Sequence, residues 1–302
     1  KKYYLNREDT KTALFVGLTG SGKSVLMNHK HRENLEEEFL HDDALIISLN
    51  NGRSISMEKS YFDKTNDVKF DDKSMEYVLS AQNQGVTINK ENKKILLGED
   101  LRNGNGRVIL ASGAHQNRVL SMENSPDIIF WLMKDPVLPP VLKIKCPQLS
   151  AAFGATLSNI KIKNTDSDLL KETEPLIIQP YANPFRTYSG EKDYQRVQKL
   201  IIERNVESYI LNTGFFMGLE IPKEVSITVL DNIIVGEGEF TPWNGFSKIE
   251  IMEISGYKAD FSDIKYKDYF MTRIQERIEY LKKRSYPEEG IKALENLLQE
   301  IV

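Results

Sequence analysis

The sequence predicts an α/β fold in which mixed β-sheets are flanked by helices. Two observations predict it. Apolar runs of four to eight residues, too short for helices, recur along the chain and stop at Gly, Asn or Pro. Between and after them lie stretches with helical spacing of apolar residues, the longest near the C-terminus. Some of the strands are joined by tight turns and others by helices, so antiparallel and parallel pairing must coexist.

Taken in order, Thr12–Gly17 (TALFVG) reads as a buried strand ending at a glycine. Ser24-Val25-Leu26-Met27 opens a helix running towards His31, and the acidic stretch Glu33–Phe39 is expected to form a further helical turn. Ala44–Leu49 is a strand that turns at Asn50-Asn51-Gly52, and Arg53–Met57 returns as its hairpin partner. Ser74–Gln84 carries Met75, Val78 and Leu79 at helical spacing, with Gly85 at the C-cap position. Val86–Ile88, Ile95–Leu97 and Arg107–Ala111 are short strands. Asp127–Met133 is a strongly apolar strand, stopped by Pro136 and Pro139-Pro140. Ala151–Ile160, rich in small residues, is expected to be a strand lying beside a ligand. Asp193–Asn205 is an amphipathic helix, Ser208–Leu211 a strand and Val225–Val235 a helix. Tyr266–Lys283 and Pro287–Val302 are the last helices. No internal repeat or low-complexity segment is visible.

Composition narrows the function classes. The 302 residues carry a net charge of −4, which gives no global basic field for a nucleic-acid polyanion. A lone cysteine, Cys146, excludes an intramolecular disulfide framework and a Cys-based zinc site. No apolar run approaches the roughly 18 residues of a membrane span, and a cytoplasmic setting is expected. The first residues, Lys-Lys-Tyr-Tyr, show neither an initiator Met nor a signal-peptide apolar region, so sequence upstream of Lys1 is expected.

Gly17-Leu18-Thr19-Gly20-Ser21-Gly22-Lys23-Ser24 fits G-x-x-x-x-G-K-[ST] between a strand and a helix. Glycines at 17, 20 and 22 let the backbone wrap an anion with its N–H groups inward. Lys23 would neutralise the outer phosphates of a nucleoside triphosphate, and the Ser24 hydroxyl would ligate Mg²⁺. With Thr19 and Ser21, these residues form the expected cofactor-binding loop for ATP and Mg²⁺. Such a loop needs an acidic partner, and Asp42-Asp43, preceded by His41, is the candidate. Two adjacent carboxylates at a metal site titrate apart, one ionised on the metal and one able to take a proton. A solvated acidic turn is the alternative.

The segment Leu14–Leu26 resembles the P-loop stretch of ATP-dependent phosphoenolpyruvate carboxykinases, and six further islands follow collinearly. These are Leu40–Asp43 (LHDD), Tyr61–Thr65 (YFDKT), Asn105–Val108 (NGRV), Asp127–Pro140, Leu149–Gly154 (LSAAFG) and Tyr209–Gly214 (YILNTG). HPr kinase belongs to the same wider group by its P-loop and Asp pair. The resemblance implies that Asp42 and Asp43 handle catalysis and metal, with Asp43 joining Ser24 as metal ligand. It implies that Lys64 lies near the transferring phosphate, with Thr65 beside it, and that Arg107 contacts the γ-phosphate and stabilises the migrating charge. Without the resemblance, Lys64 and Arg107 would read as ordinary surface cations.

The resemblance further implies a nucleotide-binding and phosphotransfer domain over residues 1–285, a C-terminal helix over 286–302, and an N-terminal substrate domain upstream. The family's upstream arginine for a substrate carboxylate, and its Lys and His ligands for Mn²⁺, have no counterpart in these residues, so the second metal and the acceptor stay open. Three readings follow: an ATP-dependent phosphotransferase with an unidentified acceptor, phosphoenolpyruvate carboxykinase itself, or a nucleotide-binding switch. His29, His31 and His115 have no metal-ligand spacing. Trp243, in a glycine-rich stretch, is read either as a ligand-stacking ring or as hydrophobic cover, and Pro175–Thr187 as a proline-stiffened connector.

Overall fold

The computed structural model describes residues 1–6, 8–28, 35–40, 44–57, 60–64, 78–97, 107–111, 119–159 and 176–301, with backbone alone at 28, 61–64 and 107. The chain divides into two compact units, Lys1–Glu36 with Pro126–Val302, and Glu37–Ser125. The architecture is α/β with a mixed eight-stranded sheet and flanking helices, as the sequence predicts.

Seven strands of that sheet lie wholly in the first unit. Their order is Thr241–Pro242, Ile249–Ile251, Val141–Ile144, Glu207–Asn212, Ile128–Met133, Thr10–Gly17 and Lys2–Tyr4. The central strand Ile128–Met133 (IIFWLM) pairs in parallel with Thr10–Gly17 on one side and Glu207–Asn212 on the other, while the outer pairs are antiparallel. All six of its residues are buried, which explains an unbroken apolar run in place of an alternating one. Successive side chains take opposite faces. Phe130 stacks on Phe15 with centroids 5.2 Å apart, while Trp131 donates its indole N–H to Ser150 and Ser208 at 3.0 and 3.1 Å.

Helix Pro147–Ala155 corrects the expectation of a strand over Ala151–Ile160; only Ser158–Asn159 is extended there. Its small residues serve close packing: a Cβ on Gly154 would lie 2.7 Å from the Trp131 ring and from Tyr181. That close approach to an aromatic wall, and not a ligand, accounts for the composition. The helix packs against Gly190–Arg204 and Glu288–Glu300, and Ile264–Lys283 packs on the latter. The expected helices over 193–205, 225–235, 266–283 and 287–302 are all present, within about three residues at each end. Trp243, 2% exposed, sits among Phe246, Phe261 and Phe270, so it is hydrophobic cover and not an open stacking ring.

One buried ion pair crosses this unit. The Arg277 guanidinium, from the long C-terminal helix, reaches Asp135 at 2.5 Å, with both side chains wholly buried. It also donates to the Ser158 hydroxyl at 2.8 Å, the Thr156 hydroxyl at 3.0 Å and the Thr156 carbonyl. Burial pushes the guanidinium pKa down, against the pull of Asp135.

The second unit is built of small antiparallel pieces. Leu45–Ile47 and Ser54–Ser56 form the expected hairpin, with Ser121–Met122 on its other edge. Gly52 has φ +75°, and any Cβ there would fall 2.4 Å from Ser125, so the Asn-Gly turn demands glycine. Ser60–Lys64 pairs with Arg107–Ala111, and Val86–Ile88 with Lys94–Leu96. At the junction of the units, the acidic stretch expected to be helical contains the strand Glu36–Glu38. Val78 and Leu79 are helical, while the start of that expected helix lies outside the described residues.

Candidate functional site at the P-loop

The three parallel strands of the first unit end at the same edge. Gly17 is in register with Leu132, and Met133 with Asn212. Ligands of open α/β sheets gather at such carboxyl ends, and here Gly17–Ser24, Lys134-Asp135 and Thr213-Gly214 leave the sheet together.

The Gly17–Ser24 loop has the shape its glycines predict. Gly17 is buried, and a Cβ on it would fall 2.3 Å from the Ser21 hydroxyl and 2.9 Å from Leu132. Gly20 and Gly22 both have φ +81°, a conformation that side chains resist. The Ser21 N–H donates to the Leu18 carbonyl at 3.0 Å, closing the turn, and helix Lys23–Asn28 follows. Among the described residues, the amides of Gly20, Gly22, Lys23 and Ser24 meet no acceptor, and Lys23 has no ion-pair partner. Lys23 is half-buried and Ser24 exposed. Unpaired amides beside a lysine form a donor set suited to an anion of several oxygens, and a hydroxyl suited to a hard cation adjoins them.

The loop is held from behind by residues that motif reasoning did not single out. Thr213 donates its hydroxyl to the Ser21 carbonyl at 2.7 Å and its N–H to the Met133 carbonyl at 2.9 Å. Asn212, wholly buried, donates its amide to the carbonyls of Asp135, Leu138 and Phe215 at 2.9, 2.6 and 2.9 Å, and accepts from the Gly214 N–H at 3.1 Å. Polar residues at the end of an otherwise apolar strand, as in YILNTG, are the signal that marks them.

The other candidates belong to the second unit. Lys64 and Arg107 occupy directly opposed register positions of one antiparallel pair. His41, Asp42, Asp43 and Thr65 lie outside the described residues, as do His29, His31 and His115. Among the described residues, no three His, Cys, Asp or Glu side chains group as a metal site, and no helix is long and apolar enough to cross a membrane.

A strand, a glycine loop with unpaired amides and a helix, set at the carboxyl edge of parallel strands, define an α/β protein with a P-loop-type strand–loop–helix unit. The sequence model of the phosphoenolpyruvate carboxykinase family, in its ATP-using form, matches residues 4–241, and the chain belongs to that family. It is thus a member of an enzyme family that uses ATP and divalent metal ions.

Proposed function

We propose that this chain is an ATP-dependent phosphotransferase that moves the γ-phosphoryl group of Mg-ATP onto an acceptor. The observation that carries the reading is the Gly17–Ser24 loop, with unpartnered amides at Gly20, Gly22, Lys23 and Ser24 within a chain of the carboxykinase family. The amides of Gly20, Gly22, Lys23 and Ser24 hold the phosphates, and the Lys23 ammonium neutralises their outer charge. The Ser24 hydroxyl and Asp43 hold the divalent ion, which when bound withdraws charge from the phosphate oxygens. Asp42 takes the acceptor's proton. Lys64 and Arg107 meet the transferring group. Like charges at opposed strand positions repel, and an anion shared between them offsets that cost. The reaction is then mostly positioning and charge neutralisation. We place these functions within residues 1–285, with helix 286–302 as support, in a cytoplasmic setting.

Lys23→Ala and Asp42→Asn test the reading. Each is expected to cut transfer of the γ-phosphoryl group by about 10²–10³-fold, the usual scale for losing one transition-state contact. Undiminished transfer in both variants would overturn it.

A second reading names the acceptor, and the family match over residues 4–241 favours it. Oxaloacetate would lose CO₂, its enolate oxygen would bond to the γ-phosphorus, and ADP would leave, giving phosphoenolpyruvate. A second divalent ion such as Mn²⁺ would accompany this chemistry. Incubation with ATP, Mg²⁺, Mn²⁺ and oxaloacetate decides it: phosphoenolpyruvate formation is expected, and its absence removes oxaloacetate as acceptor.

A further inference from the structure

We infer that Thr213 is a positioning residue that aims a P-loop amide at the bound phosphates, an inference that rests on the P-loop reading above. Its hydroxyl has one proton to give. The Ser21 carbonyl lies 2.7 Å away and the Met133 carbonyl 3.4 Å away, so the shorter contact takes it. The peptide joining Ser21 to Gly22 is planar and trans, and its C=O and N–H therefore point in opposite directions. Fixing the carbonyl on Thr213 turns the Gly22 N–H away from Thr213. That amide meets no acceptor among the described residues, as an anion-facing donor must.

The peptide needs such a hold. Gly22 has φ +81° and no side chain, so the bond can rotate at little steric cost. A Cβ on Gly22 would lie 3.6 Å from the Thr213 Cβ, so the two residues are in contact without crowding. Thr213 is itself immobilised. Its N–H is bonded to Met133, and Asn212 before it spends both amide hydrogens on three carbonyls around the strand end. The end of strand Glu207–Asn212 is therefore a rigid post, and a single hydroxyl links it to the loop. Methionine or valine at 213 would fill space there but could not direct the peptide.

The test is calorimetric titration of Mg-ATP and Mg-ADP into the full chain, wild type against T213V, T213S and K23A, with thermal melting of each. T213V keeps the shape and removes the donor. It is expected to weaken both nucleotides about tenfold, the effect of one lost orienting hydrogen bond. T213S keeps the donor and is expected to stay within about twofold of wild type. Should T213V fail to fold, T213A against T213S makes the same comparison. If T213V binds as wild type does while K23A loses binding, the role of Thr213 is overturned and the P-loop reading stands. If T213V and T213S weaken equally, packing and not the hydroxyl is responsible, and the inference again fails. Equal affinity in wild type and K23A would overturn the P-loop reading and this inference with it.

Discussion

The two units of this chain stabilise backbone in different ways. In Lys1–Glu36 with Pro126–Val302, a central strand is buried over its whole length, and its end is fastened by Asn212, Thr213 and the Asp135–Arg277 pair. In Glu37–Ser125 the described strands form ribbons of two or three, and Ile46, Ile55, Met57 and Leu120 are each more than two-fifths exposed. The first unit has the apolar core and the buried polar ties that hold its loop ends in place. The second holds Lys64 and Arg107 on a two-stranded ribbon, the kind of element that is marginal alone and whose cross-strand pairs each contribute well under about 1 kcal/mol.

The contrast can be broken most severely at Arg277. Arg277→Met removes the hydrogen-bonded counter-charge of buried Asp135, and denaturant melting should show a loss of about 3–5 kcal/mol. Adding Asp135→Leu should recover much of it, because the unpaired charge and not the missing attraction dominates. A single variant that melts like wild type would remove the tie from the account of this unit.

Matched truncations sharpen the comparison at intermediate scale. Ile129, 1% exposed, and Ile46, 51% exposed, are both strand isoleucines. Ile129→Ala should cost about 2–5 kcal/mol, and Ile46→Ala no more than about 1 kcal/mol. Similar costs would mean that the second unit buries more than its ribbons suggest.

The smallest effect belongs to Glu207, at the start of the strand that ends in Asn212. Burial raises its pKa, but the hydrogen bond and charge of Lys143, 2.6 Å away, outweigh that and hold it below the usual carboxylate value. The pair therefore contributes above the unfolded value of about 4.3 and is lost as pH falls through the lower folded value. Glu207→Gln should change stability at neutral pH by less than about 1 kcal/mol, since the pair is partly exposed. Its melting temperature should fall less steeply below pH ~4 than that of wild type. An unchanged acid slope would discard the pairing.

What could be read from the sequence follows the same division. The P-loop was legible because glycines at fixed spacing encode a backbone shape, and Gly17, Gly20 and Gly22 take the roles expected of them. The Asn51-Gly52 hairpin was legible for the same local reason. Ala151–Ile160 was misread as a strand beside a ligand, because small residues that admit Trp131 look the same in sequence as small residues that admit a ligand. Asn212 and Thr213 fell within the YILNTG stretch, whose polar end marks them, but what they hold was not legible, since their partners at Ser21, Asp135 and Leu138 are 192, 77 and 74 residues away. Nothing in the sequence singles out Arg277; only the fold brings it to Asp135, 142 positions earlier.

That last bond has a practical side. The stretch recognisable as carboxykinase ends at residue 241, a tempting place to cut when preparing a minimal fragment. Yet the helix beyond it supplies Arg277 to Asp135 and the Tyr266 hydroxyl to the Val137 carbonyl at 3.0 Å. A fragment trimmed at the recognisable border would lose both the counter-charge of Asp135 and the helix that packs over it, next to the strand end that holds the glycine loop. Such a product would be expected to come out of the cell as inclusion bodies, however faithfully it kept every residue of the motif.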